Sequence, residues 1–308
     1  MSPNPTDHSQ TTTPASAPLD PEALDRLLVR LRPRLHRYCA RMVGSVIDAE
    51  DIVQEASIKA LEAVAGATAI ANPEAWLFQI AHNAALDALR RRTRQPRFAD
   101  AEDLAMVSDP IDETHQREAA AAALHAFMRL PVVQRSSVIL KDVLGYSLDE
   151  VGAITGTSLA AVKAALHRGR EGLRAAVAEP DDRPAPVLSE AERARLSGYV
   201  ARFNARDFDA LRDMLAEDVR VELVTRTRLK GRADVAGRYF DNYARADDWH
   251  LAPGFIDRRP AIVVHDPHDA ARRPTYFMLL RWTDAGVATI RDFRHAPYVI
   301  EGAEVIVL

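Results

Sequence analysis

The sequence predicts a multidomain protein in which two all-helical units precede an α+β unit. The segment 98–115 is acidic and contains no Lys or Arg, and the segment 179–187 contains three prolines, so both are typical of linkers. Helix-start signals dominate before the second linker, whereas strand-like segments follow it. We therefore predict folded units at residues 20–97, 116–178 and 188–308, preceded by a disordered leader at residues 1–19.

The composition of the 308-residue chain excludes several classes of protein. Hydrophobic residues make up 47% and charged residues 27%, which is ordinary for a soluble globular protein. No apolar run approaches the roughly 18–20 residues of a membrane span, and residues 1–19 lack the basic and apolar parts of a secretory signal. The single cysteine, Cys39, excludes an internal disulfide or a multi-cysteine zinc site and favours a reducing cytoplasm. The net charge of −4 argues against a uniformly basic nucleic-acid binder, and we expect no cofactor and no metal.

A helix over residues 74–92 carries two different stripes. Asn72, Pro73 and Glu74 supply its start, and Asp20 begins an earlier helix with the same kind of signal. One stripe is apolar and predicts a core face. The other is mostly polar and consists of Trp76, Gln79, Asn83, Asp87 and Arg90. An aromatic residue beside amides and arginines can stack an unpaired base and contact phosphates. On this helix alone, a half-buried tryptophan beside a solvated face explains the same pattern.

The second unit contains a helix-turn-helix pattern. Ser147 and Glu150 form a capping box, Gly156 ends the helix that follows, and a longer helix covers about residues 158–176. The longer helix carries most of the positive charge of the unit, in Lys163, His167, Arg168, Arg170 and Arg174. Such a helix can enter the DNA major groove and contact phosphates and base edges. A plain helical hairpin is the alternative.

A third pattern lies at Asp51, Gln54, Glu55 and Ile58. Their spacing of i, i+3, i+4 and i+7 places them on one helix face. An acidic and amide-bearing face with an apolar neighbour suits an arginine-rich protein partner. From spacing alone, an ordinary solvated face is the simpler interpretation.

Together these patterns resemble the bacterial sigma factors of the extracytoplasmic-function (ECF) group. Residues 48–56 (Asp-Ala-Glu-Asp-Ile-Val-Gln-Glu-Ala) resemble sigma region 2.2, and residues 76–83, followed by Asp87, Arg90 and Arg91, resemble regions 2.3 and 2.4. Leu130, Pro131, Arg135 and the helix-turn-helix over residues 146–173 resemble region 4. The motifs follow one another in the order of the family, which favours the nucleic-acid and partner interpretations over the simpler ones.

The resemblance implies a role for each matching position. Asp51, Gln54 and Glu55 would bind the largest subunit of core RNA polymerase. The −10 promoter element would be contacted by Trp76, Asn83, Asp87, Arg90 and Arg91, and the −35 element by Lys163, His167 and Arg168. The loop at residues 65–72 would hold a flipped base, and the acidic linker would enter the RNA channel of the polymerase. Ala164 and His167 depart from the residues common in the family, which bears on promoter sequence.

The third unit opens with a capping box at Ser189 and Glu192, from which we predict a helix to Asn204. Further helices are predicted at residues 208–215 and 233–243. Strands are predicted at residues 219–225, 249–256, 261–265, 275–283 and 287–294, forming a mostly antiparallel sheet that buries one face. This order, with residues 203–207 and 290–294, resembles the cone-shaped α+β SnoaL-like domains. In ECF factors that carry such a domain, the extension contacts the sigma regions and tunes activity in cis. The Asp-Gly-Gly-Gly-Arg motif of some of these groups is absent from this sequence.

The cone interior of such domains can hold a small molecule. The candidate lining residues are Tyr239, Tyr243, Trp249, His265, Asp292 and Arg294. An Asp with a nearby His could perform acid–base chemistry. We favour a non-catalytic interior, in which Asp292 pairs with its neighbouring arginines at a strand end. Residues 265–269 contain two His and two Asp but also Pro267, which indicates a polar turn rather than a metal site.

We therefore predict a cytoplasmic ECF-type sigma factor that is not an enzyme. It would bind core RNA polymerase, direct it to promoters and be regulated in cis by its C-terminal SnoaL-like domain. A small ligand or an anti-sigma factor is a further candidate partner, and no membrane contact is expected. One rival is a small-molecule-binding or enzymatic SnoaL-like domain fused to a sigma-like module. The other is a one-component DNA-binding regulator, which would be indifferent to substitution of Asp51 or Gln54.

Overall fold

The computed structural model describes residues 20–64, 70–92 and 123–308. The predicted leader, the acidic linker and most of the loop at residues 65–72 lie outside the described residues. In the described part of the chain, no helix is long and apolar enough to cross a membrane.

The first unit consists of α1 (Pro21–Val43), α2 (Val46–Val64) and α3 (Pro73–Arg92). The side chain of Asp20 accepts a hydrogen bond of 2.6 Å from the backbone of Ala23, which caps the start of α1. Helix α1 ends at Gly44, whose φ of 72° is a left-handed conformation that glycine adopts without a steric cost. Only two residues separate α1 from α2, so the two helices pack closely and α3 closes the bundle.

The second unit consists of α4 (Leu124–Met128), α5 (Val132–Val138), a π-helical turn (Ile139–Val143), α6 (Leu148–Thr155) and α7 (Leu159–Ala178). Both halves of the capping box at Ser147 and Glu150 are formed. Gly156 ends α6 with a φ of 69°, and Ser158 caps α7. Helices α6 and α7 are the helix-turn-helix that the sequence predicts.

The third unit has α8 (Glu190–Asn204) and α9 (Phe208–Asp213), followed by a seven-stranded sheet. The strands are β1 (Leu215–Leu223), β2 (Thr227–Lys230), β3 (His250–Ile256), β4 (Arg259–His265), β5 (Pro274–Thr283), β6 (Gly286–Asp292) and β7 (Val305–Val307). Between β2 and β3 lie α10 (Arg232–Asp234), a π-helical segment (Val235–Phe240) and α11 (Asp241–Arg245); a 3-10 turn (Pro297–Ile300) precedes β7. The strand order is β2-β1-β6-β5-β4-β3-β7, in which β1 and β6 are parallel and the other neighbours are antiparallel.

The observed elements differ from the prediction mainly where segments are short. Residue Leu215 begins β1, so the helix predicted over residues 208–215 ends earlier. Strands β2 and β7 and the 3-10 turn were not predicted, because three or four residues carry too little periodicity to stand out.

The middle of the sheet is buried on both faces, so the prediction that the sheet buries one face is wrong. Ile262, Val264 and Met278 join the core under the third unit's own helices. Val263, Phe277 and Phe293 point the other way and join the core of the helical units. The unbroken apolar run at residues 261–264 was the available signal, since strands covered on both faces read as continuous hydrophobic stretches.

Candidate functional site

The first turns of α2 carry acidic side chains that the third unit contacts directly. Nη1 and Nη2 of Arg259 donate to the Asp48 carboxylate, at 2.9 and 2.7 Å. Arg291 Nη2 lies 2.6 Å from Asp51 Oδ1. Asp51 is one of the residues predicted to bind polymerase, so the third unit already occupies part of that face.

Glu50 of the same helix is almost fully buried beneath this contact. Its carboxylate accepts hydrogen bonds from Arg32 Nε at 3.2 Å and from the Tyr298 hydroxyl at 3.0 Å. Burial raises the pKa of the Glu50 carboxyl, while Arg32 opposes the shift. The Tyr298 ring also meets the His36 ring edge-on at 5.3 Å, so the 3-10 turn is wedged between α1 and α2.

The turn between β3 and β4 caps helix α2. Asp257 Oδ2 accepts a 2.6 Å hydrogen bond from the backbone N–H of Val46, the first residue of α2. Asp257 Oδ1 accepts from the backbone N–H of Glu304 at 3.2 Å. A carboxylate at a helix N-terminus satisfies an otherwise unpaired donor and interacts favourably with the helix dipole. Asp257 therefore ties two units of the chain together.

The other two predicted polymerase contacts have no bond to the third unit among the described residues. Glu55 pairs with Lys59 at 2.8 Å and with Arg91 at 3.2 Å. These two cations hold the pKa of Glu55 below its usual value. Gln54 is half-buried at the edge of a cleft beside the third unit. Further along this face, Ile58 is 52% exposed.

The predicted −10 residues lie along α3. Asn83 is exposed, as are Arg90 and Arg91 at the end of the helix. Arg90 pairs with Asp87 at 3.0 Å, and Arg91 with Glu55. Trp76 is half-buried and packs against the core of the unit, so its ring is only partly available for stacking.

The predicted −35 residues lie on α7. Lys163, His167 and Arg168 are each partly exposed. Within the described residues, neither Lys163 nor Arg168 makes an ion pair, whereas His167 lies 3.8 Å from Glu171. Arg170, which the sequence grouped with these cations, is buried and forms a bidentate pair with Asp142 at 2.9 and 2.8 Å. It therefore stabilises the helix-turn-helix and is not free to contact DNA.

The first two units are packed against each other through Tyr146. The Tyr146 hydroxyl donates to Glu74 at 2.7 Å, and the Tyr146 ring lies 5.1 Å from the ring of Phe78. Arg34 contacts both rings and also pairs with Glu74. Arg135 makes a second contact between these two units, since its buried guanidinium donates a hydrogen bond to the carbonyl of Met42 at 2.6 Å.

Most of the candidate pocket residues of the third unit are buried and joined by hydrogen bonds. Asp292 is fully buried and accepts hydrogen bonds from the hydroxyls of Tyr239 at 2.9 Å and Tyr243 at 2.6 Å. Burial raises the pKa of the Asp292 carboxyl. Arg294 pairs with Asp248 at 2.6 Å, and the Trp249 indole donates to the carbonyl of Tyr243 at 3.1 Å.

The structure does not bring His265 into this group. Its ring Nδ1 lies 2.7 Å from the carbonyl of Arg272, in the turn that follows β4. The described residues contain no group of three or more His, Cys, Asp or Glu side chains placed to hold a metal ion.

The comparisons with known proteins match the helical units. The model for Sigma-70 region 2 matches residues 27–95, and the model for Sigma-70, region 4 matches residues 120–173. The ECF RNA polymerase sigma factor SigM of Mycobacterium tuberculosis is 36% identical over 154 residues, covering 50% of this chain and 76% of SigM. The chain belongs to the ECF sigma factor family.

Other members of the family share a longer stretch with this sigma factor. SigG of Mycobacterium tuberculosis is 29% identical over 212 residues, covering 61% of this chain but only 57% of SigG. The crystal structure of the extracytoplasmic function sigma factor SigJ of Mycobacterium tuberculosis covers 87% of this chain and 95% of its own, at 22% identity and a TM-score of 0.35.

The sequence missed the residues of the third unit that contact region 2. Asp257, Arg259 and Arg291 lie in hairpins and strands, where their spacing carries no sign of a partner 200 or more residues away. Only the apolar run in β4 indicated that something covers the second face of the sheet.

Proposed function

We propose that this chain is a sigma factor that binds core RNA polymerase and directs it to promoters. The observation that carries the proposal is the family match over both sigma regions, together with solvent-accessible candidate residues on α2, α3 and α7. Such a protein acts in the cytoplasm, where polymerase and DNA are found.

The polymerase contact is best tested at Gln54 and Glu55. Substituting Asp51 would remove a polymerase contact and also release Arg291, so the two effects would oppose each other. Gln54→Ala with Glu55→Ala avoids this, because neither side chain bonds the third unit among the described residues. We expect the double variant to lose affinity for purified bacterial core polymerase. Glu62→Ala, an exposed site on the same helix, is the control. Unchanged binding by the double variant would refute the polymerase contact and favour the one-component regulator.

The DNA contacts are tested with the holoenzyme rather than the free chain, which carries a net charge of −4. Promoters selected from genomic fragments by the holoenzyme supply the probe. Lys163→Ala and Arg168→Ala should weaken binding to these promoters, because each removes a cation without an ion pair in the described structure. Arg174→Ala, further along the same helix, provides a comparison outside the predicted −35 set. Asn83→Ala should impair opening of the −10 region more than binding of the closed duplex.

We further propose that the C-terminal domain inhibits polymerase binding in cis. Arg291 of this domain pairs with Asp51, and Arg259 pairs with Asp48. An arginine-rich partner would make the same kind of ion pair with these carboxylates. Each of these carboxylates already has an arginine partner in the docked domain, so docking of the domain and binding of polymerase compete.

The inhibition is tested by removing the arginines that hold the domain in place. Arg259→Ala with Arg291→Ala should raise affinity for core polymerase, by roughly three- to tenfold if each pair contributes 0.3–0.7 kcal/mol. Arg281→Ala is the matched control, because Arg281 is an exposed arginine on the neighbouring strand whose partner is Thr289. Lower affinity of the double variant would instead make the domain a support for polymerase binding.

We propose that the C-terminal domain has no catalytic role. Its buried carboxyl, Asp292, accepts from two tyrosine hydroxyls, and His265, the last residue of β4, has no contact with that group among the described residues. The enzymatic rival predicts turnover that depends on Asp292 or His265. A screen of small carbonyl and epoxide substrates with the full chain and with His265→Ala would support the rival if turnover appeared and then fell in the variant.

A further inference from the structure

A cleft of about 390 Å³ lies between helix α2 and the hairpin that joins β1 to β2. Region 2 contributes Arg32, Glu50 and Gln54 to its wall. The C-terminal domain contributes Glu222, Arg226, Arg228 and Arg291, together with the other residues of the hairpin turn at 223–227. Both units therefore line the cleft, but its arginines other than Arg32 all belong to the C-terminal domain.

The cleft has an excess of positive charge. Its lining contains four arginines and two glutamates. Arg32 is engaged by the buried Glu50, and Arg291 also pairs with Asp51, which does not line the cleft. Glu222 is shared, since Arg228 lies 3.0 Å from one carboxylate oxygen and Arg291 3.0 Å from the other. Arg226 makes no side-chain hydrogen bond or ion pair within the described residues, although it stands in the same turn.

The positions of these arginines suit a multivalent anion. Arg226 and Arg228 are two residues apart along the hairpin and both are exposed at the mouth of the cleft, while Arg291 is largely covered at its inner end. Guanidinium groups bind phosphate and carboxylate oxygens through paired hydrogen bonds. The volume exceeds that of a single inorganic ion and falls within the range of small-molecule sites.

We infer that the cleft binds a small molecule bearing a multivalent oxyanion, such as a phosphorylated or polycarboxylate metabolite. The inference rests on the proposed function in one respect, namely that the face containing Asp51 binds polymerase. The anion would satisfy Arg226, Arg228 and Arg291 and would compete with Asp51 and Glu222 for Arg291. All three arginines belong to the C-terminal domain, and undocking frees Arg291 from Asp51, so the anion binds the undocked domain more tightly and weakens docking. By linkage, it makes region 2 more available to polymerase.

Binding is tested by titrating the full chain with pyrophosphate and with citrate in a calorimeter, at constant ionic strength set with sodium chloride. The two probes separate a phosphate preference from a carboxylate preference. We expect Arg226→Ala with Arg228→Ala to weaken binding by about tenfold or more. The reason is that the loss of even one hydrogen bond between charged groups is enough to change a dissociation constant by about that factor. Arg238→Ala is the control, because Arg238 is exposed on the π-helical segment and does not line the cleft. Absence of binding by both probes, or equal loss in the control, would overturn the inference.

The competition is tested by hydrogen exchange of the full chain with and without the better probe. Exchange should increase across the start of α2, where Asp257, Arg259 and Arg291 hold the helix. Matched sodium chloride should produce a smaller increase, since it only screens the ion pairs. Binding without increased exchange would refute the competition with Asp51. Neither readout involves polymerase, so a failure here is separate from a failure of the sigma factor assignment, which the Gln54 and Glu55 variants test.

Discussion

Asp257, in the turn between β3 and β4, accepts a hydrogen bond from the backbone N–H of Val46, where the region 2 helix α2 begins. Ser45 accepts from the backbone N–H of Asp48 at 3.3 Å, so another unit of the chain supplies one part of the cap of a helix that is predicted to bind polymerase. Docking of the C-terminal domain and the stability of α2 are coupled through this one carboxylate, because undocking leaves the Val46 donor to water.

Replacing Asp257 should loosen the domain and destabilise α2 together. Asp257→Ala should lower the free energy of unfolding by about 1–2 kcal/mol, the usual cost of a lost helix cap. Asp257→Asn keeps an acceptor and should cost less. Urea unfolding and hydrogen exchange at the start of α2 measure the two effects. Asp284→Ala, in the exposed β5–β6 turn, is the control. A variant with normal exchange in α2 would show that the cap does not hold the domain.

Substitution of Arg170 should affect stability, whereas substitution of Lys163, on the same helix α7, should affect promoter binding. Arg170→Ala leaves Asp142 buried without its partner, which should cost about 3–5 kcal/mol of stability. Lys163→Ala should change stability by less than about 0.5 kcal/mol while weakening promoter binding by the holoenzyme. Urea unfolding and promoter-binding titrations over a range of salt concentrations distinguish the two. Equal loss of stability in both variants would contradict the structural role given to Arg170.

Two buried histidines should make the protein less stable in mild acid. Burial lowers the pKa of His36 and His82 from 6.5 to about 4. The unfolded chain takes up protons at these positions near pH 6.5, whereas the folded chain stays neutral there until about pH 4. The contribution of these two histidines to the free energy of unfolding is therefore at its full value above pH 6.5 and falls as the pH drops toward 4. Between pH 7 and pH 5 the loss is about 2 kcal/mol per histidine.

The histidine prediction is checked by urea unfolding at several pH values. His36→Gln can keep the hydrogen bond that the ring nitrogen makes to the carbonyl of Val46, and His82→Gln can keep the one to the hydroxyl of Tyr38. Each variant should lose part of the slope between pH 7 and pH 5. An identical slope in wild type and both variants would assign the pH dependence to other groups.

Asp292 should stabilise the C-terminal domain as a hydrogen-bond acceptor, so the cost of replacing it depends on whether the new side chain can accept. Asp292→Ala leaves the hydroxyls of Tyr239 and Tyr243 without their acceptor and should cost on the order of 3 kcal/mol. Asp292→Asn keeps an oxygen in place and should cost much less, because burial already disfavours the charged form. Unfolding followed by tryptophan fluorescence measures both. An Asn variant as unstable as the Ala variant would mean that the negative charge itself is required.

The helices and the helix-turn-helix were predictable because their signals are local. Asp20, Ser147 and Ser189 each cap a helix within three residues of their own position, and Gly156 ends one through its own backbone angle. The motifs of regions 2 and 4 lie on these helices, so their order along the chain was enough to identify the family. Short elements such as β7 have too few residues to show a local pattern from which a strand could be predicted.

The sequence by itself determined the helices, the order of the units and the family, since each depends on contacts between near neighbours in the chain. Only the tertiary structure decided that Arg291 pairs with Asp51, 240 residues away in the chain, and that Arg170 is buried rather than free for DNA. The reason is physical. A cap or a periodic stripe is fixed by the backbone geometry of one element, whereas the partner of an arginine on a sheet depends on which surfaces bury their apolar residues against each other.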